Sequence, residues 1–555
     1  MPVPFPVLGE RIAKPAEIVI SPVNLTANGP AHLGHAGGPF LRMDVLARAC
    51  RRAGHRVRQV LSNDHFENHV VVKARALGRD PAAFARENDR LIARGLAALD
   101  ITFDTFPDTG DPAVLARFRD VAGALTRALD DGGKVLLRRE MLPVDDASVA
   151  GFEAGAAPIE ERFCIGGWFG CNCPACGAPS GSFFCEACGA HYSPSEAPQP
   201  RSRRGNITGF VESACLYLDL RPVEALAQNW ARMRIEAPFR EVAQRFLDNS
   251  RPEIRLTVPG LHGLAWDDRR FRDSQILFSY SSLLFAHHIL LGTFLADEGG
   301  SNPFEAGHPA LLIGATAIDN TVPMLAGVTG CALAQTRYRG FDRIYFNHFL
   351  HLDGEKFSTS RGHVIWSHDL EGVPGLETDI LRWYLCSITP EEAAGNFMRG
   401  ECVAFHERVR VTLDHRLQAL AAILAAEAQT KPDADPDPDP DPAIAAPMRD
   451  LLQTQHECLG GDGLRLRRFA ATLDAALVLG EAITTPAQAQ AWMRGFAILA
   501  SPVMPRLAQE LWRAAGLDGA PQCADFARPA KPVPAALPRR DGPPLTRAAL
   551  EALSP

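Results

Sequence analysis

The sequence predicts an α/β protein whose body is a doubly wound parallel sheet, split by a cysteine-rich insertion and followed by an α-helical bundle. Three observations predict it. Strand, glycine-rich loop, helix and strand follow one another through residues 17–64. Five of the 13 cysteines crowd into residues 171–188. From about residue 400 the chain turns rich in alanine and leucine at helical spacing.

"EIVISPVN" at 17–24 reads as a buried strand, and "TANGPAHLGHAGG" at 26–38 as the glycine-rich loop after it. "FLRMDVLARACRRAG" has the apolar spacing of a helix, and "HRVRQVLSND" at 55–64 is a second strand that ends in polar residues. That order is a parallel βαβ unit. A second α/β stretch begins near 251 and includes the strands "PALLIGAT" and "RIYFNHFLHL". "FHERVRVTLDHRLQALAAILAAEAQ" continues as helix. In "KPDADPDPDPDPAIAAP" alternating Asp and Pro forbid helix, so the tract is expected to be an extended linker. The tail from about 526 is expected to be irregular, and no internal repeat is visible. The expected division is an α/β domain in two halves, 1–119 and 251–400, an insertion at 120–250, a bundle at 401–525 and a proline-rich tail at 526–555.

Composition narrows the function classes. A chain of 555 residues exceeds one core and, at roughly 100–200 residues per domain, suggests about three to five units. The net charge of −8 announces no overall nucleic-acid field, and "RSRRG" at 201–205 reads as a solvated loop. The N-terminus lacks the basic start and apolar core of a secretory signal. The most apolar run, "LLFAHHILLGTFLA", is short and broken by His287 and His288, so no membrane partner and a cytoplasmic location are expected.

Cys173 and Cys176 stand at C-x2-C spacing, as do Cys185 and Cys188. Two such turns let four thiolates converge on one ion, and Gly177 and Gly189 permit the tight backbone after each pair. Structural zinc is the reading; a redox pair is its competitor. Cys164 and Cys171 are left as ordinary thiols.

His32 and His35 pose the central question: metal, idle turn or phosphate. No further ligand stands near enough in sequence for a metal. A strand before, small residues within and a helix start after the loop suit phosphate.

"ANGPAHLGH" resembles the HIGH signature of class I aminoacyl-tRNA synthetases, in wording closest to the methionyl-tRNA synthetase family. "DGEKFSTSRG" at 353–362 resembles that family's KMSKS loop, "YSPSE" at 192–196 its zinc insertion, and "LRWYL" at 381–385 the helix after the loop. The resemblance covers about residues 15–400 and implies a Rossmann-like catalytic domain, with the bundle standing where an anticodon-binding domain would be. It implies activation of an amino acid as its adenylate by ATP with Mg2+, then transfer to an acceptor hydroxyl. By resemblance His32, His35, Lys356 and Ser360 are catalytic. Asn28, Gly29, Gly34, Gly314 and Thr359 would bind ATP with His32, His35 and Lys356. Val23, Thr26, Asp64, Leu277, Tyr280, Ala317 and Thr321 would bind the amino acid, Asp64 taking its α-ammonium group.

Departures from the pattern qualify this. Thr359 replaces the loop's second lysine, so either Arg361 or Lys356 compensates, adenylation is slow, or activity is lost. Leu277 stands at a tryptophan position, Tyr280 and several serines enter the pocket segment, and Thr26 replaces a tyrosine. These point to a side chain smaller or more polar than methionine. The bundle lacks the asparagine, arginine and tryptophan with which the family reads its anticodon. The first expectation is therefore a ligase for a non-methionine amino acid and a small-molecule acceptor such as an N-hydroxylated amine. It would be the synthetase-like component of a hydrazine synthetase, with a separate cupin protein as partner. The alternatives are a methionine–tRNA ligase and a non-catalytic nucleotide- or tRNA-binding paralogue.

Overall fold

The computed structural model describes residues 17–553 apart from 148–161, 186, 431–439, 461–462, 529–536 and 539–541. Its central sheet has four parallel strands: β1 (Glu17–Pro22), β2 (Arg56–Gln59), β3 (Leu311–Ala317) and β4 (Arg343–Asn347), in the order β4-β3-β1-β2. Helix α1 (Leu41–Arg52) makes the crossover from β1 to β2. Ile18 and Ile20 face one core, with α1 and the C-terminal helices, while Val19 faces a second core around Phe118, Trp230 and Leu283. Both faces are covered, which is why β1 is apolar without alternation. The expected fold class is borne out.

Two expected strands are shorter than their apolar runs. The run at 55–64 leaves the sheet after Gln59, because the Leu61 N–H turns to Thr105 O at 3.0 Å. Asn63–Asp64 then pairs in parallel with Leu25–Thr26, outside the main sheet. "RIYFNHFLHL" breaks where the His348 N–H bonds Pro390 O at 2.8 Å; Leu350–Leu352 pairs instead with Gly395–Phe397 and Glu355–Lys356.

Between the two halves of the sheet, Val135–Asp145 pairs antiparallel with the long strand Ile207–Asp219, which also takes Glu253–Arg255. A small sheet of Pro179–Ser180, Phe169–Asn172 and Arg201–Ser202 adjoins the cysteine turns. The expected solvated loop at 201–205 is partly buried: Arg204 Nε lies 2.9 Å from the buried Asp145 carboxylate, and its guanidinium stacks over Trp168.

After Arg399–Thr430 the linker prediction overreaches. Residues 431–439 lie outside the described residues, but the end of the Asp-Pro tract opens the helix Pro442–Cys458. Asp441 caps it by accepting from the Ala443 N–H at 2.9 Å, and Pro442 sits where its missing N–H costs nothing. The expected irregular tail likewise ends in a short helix, Arg547–Glu551, that packs on the long one. Among the described residues no helix is long and apolar enough to cross a membrane.

Candidate active site

The loop after β1 delivers both histidines to a cavity of about 460 Å³ at the carboxyl ends of the parallel strands. His32 caps the short turn Leu33–His35, and the two residues bind each other reciprocally. The His35 N–H donates to His32 Nδ1 at 3.3 Å, and the His32 N–H donates to His35 Nδ1 at 3.4 Å. The rings stack at 3.7 Å. Burial lowers both pKa values, His35 to about 4 and His32, also repelled by His35, well below its ordinary value. With Nδ1 accepting in both rings, each neutral imidazole carries its proton on Nε2. The pair therefore offers two uncharged donors, suited to phosphate oxygens and unsuited to joint metal ligation through Nδ1.

Gly34 is fixed by packing. A Cβ there would stand 3.0 Å from the His32 ring and 3.1 Å from Phe357. Phe357 stacks on His32 at 4.7 Å and 4°, so the loop carrying Lys356 lies against the histidine turn. Lys356 Nζ sits 4.2 Å above the Phe349 ring and lines the same cavity. The turn Thr359–Arg361 follows; Thr359 is exposed and away from the cavity, and the side chain of Ser360 lies outside the described residues. Arg361, one of the two cations expected to compensate, pairs with Glu355 at 3.0 Å on the surface.

Asp64 is buried in the cavity wall, where it accepts from the Phe66 N–H at 2.7 Å. Burial and the neighbouring Glu67 raise its pKa to about 6. Val23, Thr26, Asn28, Gly29, Tyr280 and Ala317 line the same cavity. Besides Thr359, three expected residues do not. Leu277 faces an adjacent cavity of about 590 Å³ beside the cysteine insertion, because it lies on the strand Gln275–Leu277 that faces that insertion. Thr321 is buried with its hydroxyl donating to Ile318 O at 2.7 Å. Gly314 lies within β3 against Phe341. The sequence reading passed over Glu67, which lines the cavity and accepts from Thr26 Oγ1 at 2.5 Å and from the Tyr280 hydroxyl. Its position three residues after Asp64 was the available signal.

The four knuckle cysteines converge. Sγ of Cys173 lies 3.6 Å from that of Cys188, and Cys176 lies 3.7 Å from Cys185, with no disulfide formed. Zn–S bonds of about 2.3 Å in a tetrahedron set sulfur–sulfur edges of roughly 3.8 Å, so the four residues fit zinc. The two turns match: the Gly177 N–H bonds Cys173 O at 2.9 Å, the Gly189 N–H bonds Cys185 O at 2.7 Å, and both glycines have φ of +75°. Burial pushes the Cys164 thiol up to about 12, in keeping with an ordinary buried thiol.

Comparison with known proteins bears on the whole arrangement. The methionine–tRNA ligase of Roseiflexus castenholzii is 26% identical over 407 residues, covering 68% of this chain and 63% of the relative. That of Xanthomonas euvesicatoria is 27% identical over 385 residues, covering 65% and 50%. The chain thus spans less than two thirds of the length of these curated relatives. Mycobacterium tuberculosis methionyl-tRNA synthetase bound by methionyl-adenylate superposes with a TM-score of 0.70 at 18% identity, covering 95% of this chain and 99% of that one. The family described as tRNA synthetases class I (M) matches residues 18–266 and 325–420, which include the histidine turn, the cysteine knuckle and the Lys356 loop. By that match the chain belongs to the class I tRNA synthetases of the methionyl type.

Proposed function

We propose that this chain is an ATP-dependent ligase that activates an amino acid as its adenylate and transfers the aminoacyl group to tRNA. One observation carries the reading: two half-buried imidazoles with Nε2–H donors, Lys356 and the Asp64 carboxyl all line one cavity. The amino acid's carboxylate would attack the α-phosphate of ATP, with pyrophosphate leaving. His32 and His35 would stabilise charge on the phosphates without themselves ionising, and Lys356 would add a full positive charge from its loop. Asp64 would hold the α-ammonium group, and Mg2+ arriving with ATP would supply further positive charge at the phosphates. Zinc on Cys173, Cys176, Cys185 and Cys188 would cross-link the insertion.

The relatives' names favour a methionine–tRNA ligase over the expected small-molecule acceptor, and neither they nor the structure lends support to a cupin partner. Methionine-dependent ATP–pyrophosphate exchange, followed by charging of total tRNA, tests the reading. Exchange with no amino acid would sink it, and exchange without any charged tRNA would reopen the small-molecule acceptor. The expectation of a non-methionine amino acid keeps one geometric support, the Glu67 carboxylate.

A further inference from the structure

Glu67 is 8% exposed and belongs to the wall of the histidine cavity. Its two hydroxyl partners, Thr26 and Tyr280, are neutral. Its ion-pair neighbour is His69 Nε2, 3.8 Å away on a side chain 43% exposed. Thr26 is also the register partner of Asp64 across the short parallel pair, so Thr26, Asp64, Glu67 and Tyr280 form one end of the cavity. His32 and Phe357 stack beside Lys356 and form another. The cavity therefore has a donor end suited to phosphates and an acidic end with two carboxyl groups.

A carboxylate has about four acceptor sites, and two hydroxyls leave others open. A thioether or alkyl side chain laid against Glu67 would strip water from a charge and return nothing. An ammonium group would meet both the charge and the open sites. Bracing Tyr280 is the other use for Glu67, but a neutral amide would brace a hydroxyl as well as a carboxylate does.

We propose that Glu67 selects the amino acid and that the substrate is a diamino acid, its α-ammonium group on Asp64 and its side-chain ammonium on Glu67. The proposal rests on the amino-acid site described above and replaces methionine at that site. Burial and the neighbouring Glu67 raise the cost of ionising Asp64, and a second cation in the pocket relieves it.

The test is calorimetric binding of lysine, ornithine, 2,4-diaminobutyrate, methionine and norleucine to the full chain, with ATP–pyrophosphate exchange run in parallel. At least one diamino acid is expected to bind about tenfold or more tighter than methionine, a gap of roughly 1.4 kcal/mol. Glu67→Gln is expected to remove that preference, lowering diamino-acid affinity about tenfold relative to that for methionine. Lysine and norleucine differ by the ammonium group, so the wild-type pair decides the matter even if the variant does not fold. Methionine or norleucine binding as tightly as every diamino acid overturns the proposal, as does binding of neither class or an equal loss of both in Glu67→Gln. Tight diamino-acid binding without exchange would leave the selection standing and remove the adenylation reading; exchange driven by methionine alone would do the reverse.

Discussion

His32 and His35 illustrate how little of a residue's role lies in its own chemistry. Each imidazole is held in one tautomer by the other's backbone N–H, so loss of either ring disturbs both donors. His35→Ala is expected to cut pyrophosphate exchange by about 10²–10³, the usual worth of one charge-stabilising donor, with far-UV circular dichroism unchanged. Unchanged exchange would remove the turn from the mechanism. Asp64 supplies a pH test. Its pKa of about 6 lies above the roughly 3.9 of an exposed aspartate, so the carboxylate that would hold an α-ammonium group is lost as pH falls through 6. KM for the amino acid should rise below pH 6 while kcat moves less. For stability the sign is opposite to that of a salt-bridged acid: ionised Asp64 costs the folded state above its pKa, and protonation between about 6 and 4 removes the cost. Asp64→Asn should therefore raise thermal stability at pH 7, by at most about 3 kcal/mol at roughly 1.4 kcal/mol per unit, and leave it nearly unchanged at pH 4.

At the scale of elements, two turns of one sequence pattern meet different surroundings. Gly177 and Gly189 share φ of +75°, yet a Cβ at Gly177 meets nothing within 4 Å while one at Gly189 would stand 2.8 Å from Val322 and 3.1 Å from Val242. Gly177→Ala should cost about 1 kcal/mol for the left-handed backbone alone, and Gly189→Ala at least about 1 kcal/mol more for the collision, measured by chemical denaturation. A zinc assay should find one ion per chain, and chelation should loosen the insertion first, seen as proteolysis between 162 and 206. The cysteine site was legible because C-x2-C turns are local: spacing alone brings the sulfurs together. The parallel βαβ unit was legible for the same reason, through its apolar runs and the loop between them. Strand ends were not, since Gln59 and Asn347 stop pairing on account of Thr105 and Pro390, partners distant in sequence. Leu277 and Thr321 were misplaced because a resemblance fixes position along the chain, while the direction a side chain faces depends on neighbouring strands. Glu67 escaped notice because its meaning comes from Tyr280, more than 200 residues away.

On the scale of the molecule, buried arginines tie the sheet to the helices after residue 400. Arg382 is fully buried and donates to Asp44 at 2.7 Å, Leu99 O at 2.6 Å, and Val503 O and Pro502 O at 2.8 and 2.9 Å. Arg52 reaches Gln455 and Ile498 O, and Arg42 reaches Phe346 O and Leu464 O. Arg382 and Arg42 thus hold partners from both regions, while Arg52 reaches from α1 into the C-terminal helices. Arg382→Ala should cost about 3 kcal/mol or more, since it leaves buried carbonyls and part of the Asp44 charge unsatisfied. Equilibrium unfolding of the variant checks this, and a change under about 1 kcal/mol would mean the ties are dispensable. The apolar core continues without a break from Ile18 and Leu41 through Trp383 to Leu473 and Trp512. Such continuity makes the C-terminal helices a thermodynamic part of the sheet domain. A heating scan should give one endotherm for both, and a chain cut after residue 398 should precipitate, because cutting there would bare Trp383, Leu381 and their neighbours to water.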